Sequence, residues 1–182
     1  MSGLVFDVTE LATRPGATRD IRRSATILGL GGPLGHVADT EPVELDLAID
    51  SVTEGVAVTG RVSGIMHLSC SRCLIGYDRS FTQMVDETYY YGGGEDHDGY
   101  DVVDNRIDLE PMLRDVIMLA FPLRPLHDEN CRGLCATCGA DLNGADCGHT
   151  QEPEDLRWAP VRSALSLPQG DPGLTQLNER SS

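Results

Sequence analysis

The chain has 182 residues, 40% of them hydrophobic, enough for one ordinary domain with length left over for flexible segments. Its 29 acidic residues against 14 basic ones give a formal charge of -15, which excludes wholesale wrapping on a phosphate backbone and restricts any RNA contact to a local patch. No stretch approaches the roughly 18 apolar residues of a membrane span, and Met1 to Val8 lacks the basic and apolar regions of a signal peptide, so a cytoplasmic protein with no membrane partner is expected.

In chain order, residues 1–42 form an arginine-containing N-terminal segment followed by a glycine-rich stretch. Arg14, Arg19, Arg22 and Arg23 cluster there, interrupted by Asp20. All 14 basic residues are arginine, which reads as the mark of a GC-rich genome, although arginine also suits bidentate phosphate contact. The run Gly29-Leu30-Gly31-Gly32-Pro33-Leu34-Gly35 reads as a loop. It is not a phosphate cradle, because the lysine and hydroxyl of a P-loop are missing.

From Val43 the apolar residues recur with period two: Val43, Leu45, Leu47, Ile49, then Val56, Val58 and Val62 to Leu68, then Tyr77, Phe81 and Val85 to Tyr91. Runs of this kind broken at Ser51 to Gly55 and at Cys70 to Gly76 predict an antiparallel meander, with Cys70-Ser71-Arg72-Cys73 at a hairpin tip. Glycine and acid then dominate residues 92–104, predicting a mobile acidic loop. His97 with Asp96, Asp98 and Asp101 lacks the spacing of a calcium loop and reads as solvated charge.

Asp108 is a good helix N-cap, Pro111 is tolerated in the first turn, and Leu109, Met112, Leu113, Val116, Ile117 and Ala120 share one face. Pro122 and Pro125 end this helix. The expected fold is therefore α+β: an antiparallel β-meander covered by an amphipathic helix, spanning 43–125, followed by a zinc-stapled cysteine-rich tail at 126–150. Residues 151–182 are expected to hold a short helix, Asp155 to Leu165, and a disordered end.

The chain has six cysteines, and cytosolic thiols stay reduced, so metal ligation or catalysis is the natural use of them. With His127 and His149 they supply the donor count of two tetrahedral zinc sites. Cys135, Cys138, Cys147 and His149 suit one site, with Gly139 easing the knuckle turn and Leu142-Asn143-Gly144 bringing the last two ligands back. Cys70, Cys73, His127 and Cys131 suit a second site that would clamp the sheet to the tail. The competing reading is a single site of Cys131, Cys135, Cys138 and Cys147, leaving Cys70 and Cys73 as a free dithiol.

The segments Cys70-Ser71-Arg72-Cys73-Leu74, Asp108-Leu109 with its apolar helix and Pro122-Leu123-Arg124-Pro125, Cys131 through Asn143, and Asp155-Leu156-Arg157-Trp158-Ala159 together resemble the YceD-like family of bacterial and plastid proteins. The likeness runs from about Val43 to Leu165. It implies a non-enzymatic role, with no small-molecule substrate, in accumulation or processing of large-subunit ribosomal RNA. The partner it implies is that RNA or a basic large-subunit ribosomal protein.

The residues themselves weigh several functions. Arg14, Arg19, Arg22, Arg23, Arg72 and Arg132 are candidate RNA contacts, though Arg72 and Arg132 equally suit a role in offsetting thiolate charge. The acidity suits a chaperone for a basic protein. A thiol-disulfide oxidoreductase or redox sensor using Cys70 and Cys73 is the enzyme alternative. Such pairs usually sit at a helix N-terminus, which a hairpin does not offer. A catalytic zinc would need an open coordination position, and a DNA-reading finger would need a basic helix after the knuckle.

Overall fold

In the computed structural model of the chain, residues 3–14, 16–92, 99–149, 157, 160 and 161 are described. The architecture is mostly antiparallel β-sheet with few helices. The regular elements are β1 (Val5–Asp7), α1 (Thr9–Ala12), β2 (Thr18–Ala25), β3 (Gly31–Gly32), β4 (Gly35–His36), β5 (Val43–Val52), β6 (Gly55–Ser69), β7 (Gly76–Tyr90), β8 (Tyr100–Asp101), β9 (Arg106–Asp108) and α2 (Leu109–Ala120).

The period-two pattern produces the centre of the sheet. β6 and β7, each of 15 residues, form one hairpin whose register runs unbroken from Gly55↔Tyr90 to Ser69↔Gly76. β5 lies antiparallel on the other edge of β6, from Val52↔Gly55 to Glu44↔Ser63. Because side chains alternate across a strand, Val43, Leu45, Leu47 and Ile49 of β5 fall on one face with Val56, Val58, Val62, Met66 and Leu68 of β6 and Phe81, Val85 and Tyr89 of β7. These residues form the core cluster.

α2 contributes Leu109, Met112, Leu113 and Ile117 to the same cluster. Its start is fixed twice. The Asp108 side chain accepts a hydrogen bond from Glu110 N at 3.0 Å, and Tyr89 of β7 donates from its hydroxyl to Asp108 O at 2.9 Å. Phe121 caps the helix ahead of Pro122, and the chain then runs to the cysteine-rich tail.

The sheet begins earlier than the expected Val43. β2 pairs with β5 over its whole length, from Thr18↔Asp50 to Ala25↔Val43. The glycine-rich stretch also departs from the loop expected of it: β3 and β4 form a minimal hairpin, and β4 joins β6 at Gly35↔Leu68 and His36↔His67. Glycine makes this possible, since a Cβ on Gly31 would lie 2.6 Å from Gly35 O.

The described part of the acidic loop is likewise more ordered than expected. Tyr100 of β8 stacks on Tyr89 with ring centroids 5.3 Å apart and donates to Asp115 Oδ2 at 2.7 Å, so an aromatic anchors a segment read as having nothing to bury. Residues 93–98, the expected closing helix apart from residues 157, 160 and 161, and the expected disordered end lie outside the described residues.

Candidate metal centres

The unbroken β6–β7 register leaves Cys70 to Ile75 as the hairpin tip. Cys70 N donates to Ile75 O at 2.9 Å and Leu74 N donates to Cys70 O at 2.9 Å. The tail repeats this pattern: Cys135 N donates to Ala140 O at 2.8 Å and Gly139 N to Cys135 O at 2.8 Å. Both Cys-x-x-Cys turns end on a left-handed residue, Leu74 at φ 62° and Gly139 at φ 72°. Glycine adopts that conformation freely, whereas leucine does so at a cost of roughly 1–2 kcal/mol. The tip is thus a knuckle of the same build as the one in the tail.

Two groups of four donor atoms result, each with all its atoms within 4.8 Å of one another: Cys70, Cys73, His127 and Cys131, and Cys135, Cys138, Cys147 and His149. Tetrahedral zinc holds thiolates at about 2.3 Å and imidazole nitrogen at about 2.0–2.1 Å, which sets S···S near 3.8 Å and S···N near 3.6 Å. Cys70 Sγ lies 3.8 Å from Cys131 Sγ, Cys73 Sγ 3.4 Å from His127 Nδ1, and Cys135 Sγ 3.8 Å from His149 Nδ1. All six cysteines are free thiols, so the donor chemistry and the spacing both fit zinc. The single-site partition is not the one assembled, because Cys131 stands with Cys70 and not with Cys135.

The reason for that partition lies in the backbone around Gly133. At φ 77° it turns the chain between Cys131 and Cys135, and a Cβ there would come within 3.0 Å of Arg72 O. Cys131 therefore faces the hairpin tip while Cys135 opens the second knuckle. Three bonds stitch tip to tail: Ser71 N to Pro125 O at 2.7 Å, Leu134 N to Arg72 O at 3.1 Å, and Arg72 Nη1 to Cys131 O at 2.7 Å. Arg72 Nη1 also reaches Glu129 O at 3.5 Å.

The groups differ in exposure. In the first, the three cysteines are buried and only His127 is exposed; in the second, Cys138 and His149 are exposed and Cys147 is half-buried. Burial resists charging the Cys70 thiol, yet hydrogen bonds from the His127 ring and from the backbone of His127, Cys73 and Arg72 bring it down to about 5. For Cys73 the Ile75 backbone N–H favours the thiolate, but burial and the neighbouring Cys70 and Cys131 sulfurs push it up to about 11. Cys135 is held at about 6 by the backbone N–H groups of Cys138 and Thr137, against burial. In Cys147 the His149 backbone N–H is outweighed by the shared proton of Cys135 and by burial, which raise it. Each group thus has one thiol poised to ionise first, as metal capture requires.

A residue that sequence reasoning read only as part of a turn joins the two groups. Asn143 accepts from Arg132 N at 2.7 Å through Oδ1 and donates from Nδ2 to Cys131 Sγ at 3.5 Å, so a side chain of the second segment supports a sulfur of the first. The candidate RNA-contacting arginines are dispersed and mostly engaged. Arg22 binds Asp46 Oδ1 at 3.0 Å, Arg19 donates to Asp7 O at 3.2 Å, Arg23 donates to Gly3 O, and Arg132 lies 3.7 Å from Asp146 Oδ2. Arg19 and Arg23 also sit over the Phe6 ring at 6.0 and 5.7 Å. Arg14 is exposed just after α1.

The sequence also matches a known family. The family model described as large ribosomal RNA subunit accumulation protein YceD matches residues 58–163, a span that holds both cysteine groups. The chain is 32% identical to an uncharacterized protein of Mycobacterium leprae, covering 91% of this chain and 79% of that one, and 34% identical to one of Mycobacterium tuberculosis, covering 93% and 84%. It is 31% identical to an Arabidopsis thaliana protein named large ribosomal RNA subunit accumulation protein YCED homolog 1, chloroplastic, over 37% of this chain and 21% of that one. No solved structure matches. With the family model spanning the hairpin, its cysteine tip, the helix and the cysteine-rich tail, the chain belongs to the YceD family of large ribosomal RNA subunit accumulation proteins.

Proposed function

We propose that this chain is a non-enzymatic accessory factor in large ribosomal subunit biogenesis. It supports accumulation of large-subunit ribosomal RNA in the cytoplasm by holding a basic ribosomal protein. Family membership carries the process. Charge carries the choice of partner: the net charge of -15 attracts cations and repels phosphate, and Arg19, Arg22, Arg23, Arg72 and Arg132 each also contact this chain's own carbonyls or carboxylates.

Zinc is assigned a structural part. Cys70, Cys73, His127 and Cys131 would hold one ion, and Cys135, Cys138, Cys147 and His149 the other, fastening residues 126–150 to the core of 43–125. Each set fills four positions with protein donors, which suits a cross-link and leaves no open position for a reacting water. Cys70 and Cys73 read better as ligands than as a redox pair, since they sit in a hairpin turn with Cys131 3.8 Å from Cys70.

The test is the ratio of large- to small-subunit ribosomal RNA in cells depleted of the protein. A selective fall in the large-subunit species, restored by the wild type and not by Cys73→Ser or Cys135→Ser, is the expected result. An unchanged ratio would remove the assignment.

A further inference from the structure

Among the described residues, one edge of the main sheet is left open. β7 gives one side to β6 over its full length, and on its other side the described residues pair only at Tyr89 and Tyr90, in parallel with Tyr100 and Asp101 of β8. The direction of its backbone groups follows from bonds at its end. Val102 N donates to Tyr90 O at 2.9 Å, so position 90 points away from β6, while Tyr91 N donates to Glu54 O at 2.9 Å, toward the β6 side. The register has no bulge, so the alternation carries back along the strand: Asp78, Ser80, Thr82, Met84, Asp86 and Thr88 present N–H and C=O outward. Thr88 lies where β8 already pairs, while from Asp78 to Asp86 no strand among the described residues pairs with this side.

We infer that this edge, from Asp78 to Asp86, is a docking strand for an extended cationic segment of another protein, which adds to the sheet by main-chain pairing. Charge names the occupant. Asp78, whose Oδ1 also meets His67 Nδ1 at 2.7 Å, and Asp86 stand on the solvent face of the strand, eight positions apart, and Met84 between them is 72% exposed. A partner strand with basic side chains opposite the two aspartates and an aliphatic one opposite Met84 meets each in kind.

A second copy of this chain meets the opposite situation. Antiparallel self-pairing centred on Thr82 sets Asp78 of each copy against Asp86 of the other, and brings together two molecules of charge -15. RNA is repelled by the same groups and cannot pair with a strand edge.

This surface deepens the reading of a basic protein partner and rests on it for the partner's class. Its test uses purified full-length protein, so it fails or succeeds apart from the ribosomal RNA ratio. The probe is a fluorescent peptide of roughly nine residues with arginine at its first and last positions and valine at its third, which in antiparallel pairing fall opposite Asp86, Asp78 and Met84. Its controls are the same peptide with alternate amides N-methylated, which keeps charge and removes pairing, and a glutamate–valine version.

The arginine peptide is expected to bind and to slow amide exchange at Ser80, Thr82, Met84 and Asp86, with the N-methylated form at least about tenfold weaker. Thr82→Pro removes an outward N–H without touching the β6 ladder, and Asp86→Lys reverses a charge; each is expected to weaken binding about tenfold or more. If Thr82→Pro does not fold, Asp86→Lys and the exchange pattern decide the matter. Equal binding of the N-methylated peptide, protection of these amides by self-association, or their protection by an RNA oligonucleotide would each overturn the inference.

Discussion

Arg72 shows how one side chain joins distant parts of this chain. Its guanidinium donates to the carbonyls of Cys131 and Glu129, and its own carbonyl accepts from Leu134, so it brackets the tail against the hairpin tip from both sides. Arg72→Ala should therefore raise the rate at which a chelator strips the first metal group, with the second changed little. Chelator kinetics on singly loaded protein measure this. His67 gives a pH signature at the same scale. Its Nδ1 lies 2.7 Å from Asp78 Oδ1 and its Nε2 3.0 Å from Glu41 Oε2, and these hydrogen bonds, that to Asp78 first, raise its pKa above the ordinary 6.5. A raised folded-state value stabilises the fold fully below the unfolded pKa, and this contribution is lost as pH rises through the folded value. The melting difference between wild type and His67→Gln should be greatest near about pH 6 and shrink toward about pH 9.

At the level of elements, what was legible is what presents one clean face. β5, β6, β7 and α2 alternate or repeat apolar residues with the period of their own geometry, and their buried positions match that pattern. Leu113 of α2, fully buried against the sheet, should cost about 2–5 kcal/mol on replacement by alanine, read from denaturant midpoints at unchanged slope. β2 was not legible, because only Ile21 of its eight residues is buried and, with Ala25 at its end half-buried, the others are polar and exposed, leaving no period-two signal. Its pairing with β5 is reinforced by Arg22 on Asp46 and Thr18 on Asp50, and Arg19 and Arg23 bond to the carbonyls of Asp7 and Gly3. β3 and β4, of two residues each, carry no periodicity at all.

At the scale of the whole molecule, the sequence named the metal donors and favoured the two groups that the structure brings together, with a single-site partition left as the competitor. Cys131 lies nearer in sequence to Cys135 than to Cys70, and this adjacency is what kept one four-cysteine site open beside the two mixed ones. The left-handed turn at Gly133 and the docking of Arg72 against it decide the matter, and neither is encoded in ligand spacing. Asn143 then ties the two groups through the Cys131 sulfur. Unequal exposure sets an order on metal loss. The second group, with two exposed donors, should release zinc first to a chelator while the sheet stays folded. Loss from the buried first group should free the tail from the hairpin tip, seen as new amide exchange in residues 126–134.

Metal content by intact-protein mass spectrometry tests the two-site clamp most directly, comparing wild type with Cys73→Ser and Cys135→Ser. The account predicts about two zinc ions per wild-type chain and about one in each variant, the remaining ion in Cys73→Ser being the more easily chelated of the two. One ion in the wild type, unchanged in Cys73→Ser and lost in Cys135→Ser, would contradict it and return Cys131 to a single four-cysteine site.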